Sequence, residues 1–175
     1  PLNLPHDTPL LWDCFGGTSD AVNERLQWYG VTPFTSSQDL GDLLESIQQT
    51  HNDPDRSNND DCKKEVPSSC TNVIRLLPSG EVAGMASYLS TDAANGVTEI
   101  VYVAHGTNMA RTPAATEAHY MMARHALETM GYRRYEWKCN SLNEPSKRTA
   151  LRLGFQYEGC FRQHRVTALG HNRDT

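Results

Sequence analysis

Two stretches of the chain join a strand end to a helix start, and each gathers groups that hold anions. In the first, an apolar strand over 97–104 runs through a glycine-containing loop into Arg111-Thr112-Pro113, where Thr is an N-cap residue and Pro suits the first helical position. Backbone N–H groups and the positive end of a helix macrodipole converge there, and Arg111 adds a charged donor. In the second, Asn143-Glu144-Pro145-Ser146 follows a short strand over 135–139, and Lys147, Arg148 and Arg152 come within the opening turns of its helix. Either start alone reads as an ordinary capped helix. Two of them at the ends of neighbouring strands make a candidate site for an anionic ligand.

Other chemistries find little support in the residue spacing. The five cysteines, Cys14, Cys62, Cys70, Cys139 and Cys160, contain no Cys-x-x-Cys pair and do not resemble a secreted disulfide framework, so free thiols are expected. The seven histidines offer no His-x-x-x-His or His-Glu-x-x-His spacing, and His119 and His125 do not share a helical face, so no metal site is expected. A Cys-His hydrolase built on Cys139 lacks a histidine placed beside it. Arg133, Arg134, Lys138, Lys147, Arg148 and Arg152 lie on alternating elements without an aromatic stacking motif, which argues against nucleic-acid binding.

The elements that must position the two helix starts follow from pattern. At 175 residues, 38% hydrophobic and 21% charged, the chain has the size and composition of a single domain, 1–175, with a core of its own. No apolar run approaches a membrane span, and the first ten residues lack a signal peptide's basic start and apolar stretch; a soluble, cytoplasmic protein is expected. The net charge of -5 divides unevenly. Residues 1–100 carry 5 Lys and Arg against 15 Asp and Glu, and residues 101–175 carry 11 against 6. A basic C-terminal part suits an anionic ligand.

Helical pieces are predicted over 8–15, 19–29 and 36–49, the last from apolar Leu40, Leu43, Leu44 and Ile47 at helical spacing, with Ser36 or Ser37 as N-cap. Residues 51–71 are poor in apolar side chains and predict a mobile insertion. Strands are predicted over 72–77, 82–89 and 97–104, joined by turn-forming residues into an antiparallel set. A helix of about 18 residues follows from Thr112-Pro113 to the stop at Gly131. After it come a strand over 135–139, a helix over 144–153 and a last strand over 156–166. The expected class is α+β, a mixed but mostly antiparallel sheet with helices on both faces and a splayed parallel strand pair.

The stretches 111–118 (RTPAATEA), 131–146 (GYRRYEWKCNSLNEPS), 151–155 (LRLGF) and 157–163 (YEGCFRQ) together resemble the GNAT N-acetyltransferases, and within them the RimJ/RimL-like branch that acetylates α-amino groups. The resemblance covers roughly 72–175. It implies acetyl-CoA as cosubstrate, with pantetheine along the strand at Tyr102 and Val103. The pyrophosphate would rest on Arg111, Thr112, Ala114, Ala115 and Thr116, with Asn143 and Ser146 near the thioester. Two positions depart from the family loop: Ala110 supplies no polar side chain, and Pro113 has no N–H.

The implied reaction is direct attack of a primary amine, a protein N-terminal α-amino group or a small-molecule amine, on the thioester. Glu99, on the strand beside the pantetheine, is the candidate base, with an ordered water as its rival, and Ser146 resembles the residue that protonates the departing thiolate. Arg165 stands where ribosomal-protein-acetylating members place a Glu. Family members continue past residue 175 with a strand that pairs with the preceding one. The expectation is therefore a fragment, or a homodimer in which another chain supplies that strand. The alternative function is a nonenzymatic acyl-CoA-binding or partner-binding relative of the same fold.

Overall fold

A computed structural model describes residues 1–51 and 70–175, the side chains of residues 50 and 51 excepted. The helices α1 (Leu4–Cys14), α2 (Ser19–Leu26) and α3 (Ser37–His51) come first, a 3-10 turn Gln27–Tyr29 extending α2. Strands β1 (Cys70–Arg75), β2 (Val82–Asp92) and β3 (Val97–His105) follow, then α4 (Pro113–Arg124), β4 (Arg134–Trp137) and α5 (Glu144–Arg152). The two-residue strands β5 (Arg165–Val166) and β6 (Asn172–Arg173) close the chain.

The main sheet has the order β1-β2-β3-β4, with β1, β2 and β3 antiparallel and β4 parallel to β3. Its centre is β2, where Val82 to Tyr88 are buried without a break. Such a run fits a strand covered on both faces. One face carries α1, α2 and α3, whose Leu11, Val22, Leu26, Leu40 and Leu44 pack, together with Phe15 at the C-cap of α1, against Val82, Met85 and Ala104. On the other, Ala115 of α4 joins Ala83 and Met109, and the Tyr88 hydroxyl donates to the Met122 carbonyl at 2.7 Å. Arg75 pairs with the buried Asp7 at 2.6 Å and so ties β1 to α1.

Several expected boundaries move for physical reasons. α1 begins at Leu4 rather than residue 8, with Pro5 in its opening turn, where a missing N–H costs nothing; Pro9 is carried within it. The Asp39 carboxylate accepts from the N–H groups of Thr35 (2.6 Å) and Ser36 (3.0 Å) ahead of α3. The expected long helix opens at Pro113, but its last turn, His125–Thr129, is a π-helix. Of the insertion expected over 51–71, His51 ends α3 and Cys70 and Thr71 open β1; residues 52–69 lie outside the described residues.

The strand expected over 156–166 needs correction. Only Arg165 and Val166 have strand structure, paired with Arg173 and Asn172 in a separate hairpin, and β4 is the last strand of the main sheet among the described residues. Tyr157, Phe161 and Val166 are exposed, so no buried face holds this stretch in sheet register. Positive φ at Gln163 (50°) breaks the extended path besides.

Candidate active site

The parallel strands meet and then part. Val97 to Ile100 of β3 pair with Arg134 to Trp137 of β4, and the pairing stops there although β3 runs on to His105. Opposite β2 the register slips at the same place: Met85 faces Ala104 and Ser87 faces Val101, so Tyr102 and Val103 together oppose Ala86. Tyr102 sits in this bulge with φ 48°. A β-bulge bends its strand and increases the local twist. Between the diverging segments opens a cavity of about 340 Å³ lined by Glu99 to Val103 from β3 and by Trp137 to Asn140 from β4 and the loop that follows.

Asn143 and Ser146 reach the same cavity. The Asn143 side chain caps α5 by accepting the Ser146 N–H at 3.1 Å, which fixes the backbone that carries the hydroxyl. Trp137 Nε1 then donates to Ser146 Oγ at 2.9 Å. An indole N–H only donates, so Ser146 Oγ is the acceptor and its own proton is left to be given elsewhere.

Glu99 is 8% exposed and accepts from Lys138 Nζ at 2.8 Å through Oε2. Lys138 also bonds Glu136 in a very short contact, and Glu136 accepts from Arg134 at 2.6 Å. Arg134 forms a two-point contact with Glu158 at 2.8 and 2.6 Å. Burial works against the charge of Lys138, but Glu136 and Glu99 outweigh it and raise its pKa. Glu136, which burial alone would raise, is lowered by Lys138 and Arg134. Glu99 therefore faces the cavity inside a charge network rather than as an isolated carboxylate.

The expected phosphate cradle lies at the other helix start. Thr112 uses its N–H and its hydroxyl on the Met109 carbonyl, at 3.1 and 2.7 Å, and Ala115 donates to the Thr112 carbonyl at 3.2 Å. The N–H groups of Arg111 and Ala114 are not consumed by the turn. Arg111 is exposed with φ 65°. Arg152, the last residue of α5, donates to Thr116 Oγ1 at 2.9 Å and ties the end of α5 to the first turn of α4. Open backbone beside Val101 to Val103, spare N–H groups at the α4 start and a guanidinium at Thr116 fit an extended thioester with a phosphate end. Ala110 and Pro113 add nothing to that grip.

Several residues here carried no readable signal. Trp137, Lys138 and Glu136 become partners of Ser146 and Glu99 only through strand register. Beneath the splay, the imidazoles of His105 and His119 meet with their Nε2 atoms 3.1 Å apart, and Trp137 packs against His119 with ring centroids 5.3 Å apart. Their fourteen-residue separation across a strand, loop and helix hid the pair. Among the described residues no group of three potential ligands could hold a metal ion, and no helix is long and apolar enough to cross a membrane.

The sheet thus has a parted parallel pair, helices on both faces and a helix start beyond each of the parted strands. Residues 19–156 match the model of the acetyltransferase (GNAT) domain, so the chain belongs to the GNAT family and the protein is an acyltransferase. A GCN5-related N-acetyltransferase from Brucella melitensis is 33% identical over 99% of this chain and 70% of its own, with a TM-score of 0.80. A probable acetyltransferase (GNAT family) from Chromobacterium violaceum ATCC 12472 is 28% identical over 99% of this chain and 77% of its own, with a TM-score of 0.81. A variant of the spermidine N-acetyltransferase from Vibrio cholerae shares the fold at 12% identity, over 99% of this chain and 88% of its own, with a TM-score of 0.63. No curated protein matches the chain. The GNAT family takes its acetyl group from acetyl-CoA and passes it to amines.

Proposed function

We propose that this protein transfers acetyl from acetyl-CoA to a primary amine, either a protein N-terminal α-amino group, as the RimJ/RimL-like sequence features suggest, or a small-molecule amine. The parting of β3 and β4 beyond Ile100 and Trp137 carries the reading, because it leaves strand-edge backbone of Tyr102 and Val103 open in a cavity that also holds Glu99 and Ser146. Bound acetyl-CoA supplies an activated acyl group on a sulfur that leaves readily. Arg111, Thr112, Ala114, Ala115 and Thr116 would support its phosphates, and Asn143 with Ser146 its thioester end.

The chain's own groups divide the proton work. An α-amino group has a pKa of about 7.7–8.0, so deprotonation needs modest help near neutral pH. Glu99 has Oε2 committed to Lys138, which leaves Oε1 to take the proton, directly or through water. The nitrogen then forms its bond to the acetyl carbon as the carbon–sulfur bond breaks. Ser146, already accepting from Trp137, directs its proton toward the departing sulfur. Holding amine and thioester in one cavity supplies much of the acceleration.

Titration calorimetry of the chain with acetyl-CoA tests the binding half, and a heat of association below millimolar concentration is expected. CoA release with a panel of amines tests transfer. Glu99→Gln should lower the rate by about 10²-fold below the pKa of the amine and by much less above it. No heat at millimolar acetyl-CoA, or an unchanged pH profile in Glu99→Gln, would remove the corresponding step.

A further inference from the structure

The cavity has a second charged end that acetyl transfer does not require. The hairpin of β5 and β6 pairs Arg165 directly with Arg173, and both line the cavity next to Trp28, Tyr29 and Gly30, away from the α4 start. Like charges directly opposite each other destabilise a strand pair. Among the described residues neither guanidinium has a hydrogen-bond or ion-pair partner, and the Nε of Arg173 is buried with nothing to accept from it. The nearest carboxylate in sequence, Asp174, is turned away to accept the Gln163 N–H at 2.7 Å. A buried donor without a partner is costly to leave so.

The hairpin is nevertheless held firmly in this place. Ala168 donates to the Gly30 carbonyl at 3.0 Å, and Thr167 packs over Gly30. The hydroxyl of Tyr102, the residue at the bulge, lies within the electrostatic reach of Arg165, Arg173 and Glu99 together: burial raises its pKa, the two arginines pull against that, Glu99 adds to it, and the net shift is upward. One end of the cavity thus holds Glu99 with its Lys138 partner, and the other holds the exposed Arg165 and the half-buried Arg173, both unpartnered among the described residues, arranged around a single ring.

Resting on the proposed acetyl transfer, we propose that the acceptor is an amine that also carries a carboxylate, its amine facing Glu99 and its carboxylate held by Arg165 and Arg173. A diamine or polyamine would bring a second cation against the arginine pair, which is unfavourable in a partly desolvated site.

The test compares matched acceptors on the whole chain in the presence of acetyl-CoA: 4-aminobutanoate and 6-aminohexanoate against 1,4-diaminobutane and 1,6-diaminohexane, and seryl-glutamyl amide against seryl-lysyl amide. The carboxylate member of a pair should have at least tenfold higher kcat/KM. Preference confined to the free amino acids or to the peptides identifies which source of carboxylate is used. Arg173→Gln and Arg165→Gln should each raise KM for the carboxylate acceptor about tenfold, Arg173→Lys should restore part of it, and Arg162→Gln, outside the cavity, should change neither. Calorimetry of the same acceptors with CoA present reads binding without turnover. Carboxylate binding that is lost in the arginine variants, with no amine acetylated, sustains this proposal while the transfer reading falls. Equal or tighter binding of the diamines, or carboxylate binding indifferent to both arginine variants, overturns it even if acetyl transfer is found.

Discussion

Acid should loosen this fold through one buried imidazole, and the size of the effect follows from its surroundings. His119 is 5% exposed, between His105 and Trp137, and burial together with the charges of His105 and Arg152 lowers its pKa to about 4 from an ordinary 6.5. Burial, Arg25 and Arg152 lower His105 as well. The unfolded chain takes up a proton at this site as the pH falls through about 6.5, whereas the folded chain resists until about 4. The unfolded state binds more protons within that window. Stability is therefore complete above pH 6.5 and declines toward pH 4, by roughly 3 kcal/mol for His119 alone. Carboxylates also titrate toward the lower end, so the informative quantity is a difference between chains. Urea unfolding at pH 7, 6, 5 and 4.5 should show wild type losing stability faster than His119→Gln, whose amide keeps a polar group near His105 without taking a proton. The gap between them at pH 7 should shrink by about 3 kcal/mol toward pH 4. A gap that stays constant would refute the burial argument.

Five further substitutions separate packing from chemistry. A Cβ on Gly84 would lie 2.4 Å from the Ala104 carbonyl oxygen, a backbone atom that cannot swing aside, so Gly84→Ala should cost about 1–3 kcal/mol in urea unfolding. Asp7 is buried, accepting the Asn3 N–H at 2.8 Å as well as Arg75, and Arg75 is partly exposed, so Arg75→Ala, which removes one of the carboxylate's two partners, should cost about 1–3 kcal/mol, and Asp7→Ala, which frees a guanidinium that can reach water, should cost less, both read by urea unfolding. Ser146→Ala should lower kcat by about 10²-fold with little change in the calorimetric affinity for acetyl-CoA. Trp137→Phe should lower kcat by a smaller factor, because the hydroxyl loses its orienting donor but keeps its proton.

Legibility in the sequence followed the range over which each cause acts. Thr112-Pro113 and Asn143 with Ser146 mark helix starts through local backbone chemistry, and both starts stand where they were expected. The turns that join β1, β2 and β3 are likewise local. Residues 156–166 resembled a strand but lack the second sheet surface that would bury alternate side chains. The His105–His119 contact and the Glu99–Lys138–Glu136 network arise from strand register and a helix crossing, which no short window encodes. The π-turn at His125–Thr129 had no such marker either, since nothing in its residue types distinguishes it from the α-helix before it.

The extra residue in β3 explains why these distant groups converge. Pairing with β4 ends at Ile100, immediately before the stretch in which Tyr102 and Val103 share one partner on β2. Were the β2–β3 register unbroken, β3 would continue straight beside β4 and the cavity would close into ordinary sheet. The bulge instead turns Tyr102 toward the helical face, where its ring meets Tyr29 edge-on with centroids 5.5 Å apart. That contact brings the Gln27–Tyr29 turn to the cavity, and Gly30 beside it anchors the hairpin that carries Arg165 and Arg173. One local backbone irregularity thus accompanies both the opening of the cavity and the placing of Arg165 and Arg173 at one end of it. A change at residues 101–103 should therefore disturb donor binding and acceptor selection together, whereas a change at the α4 start should disturb the donor alone.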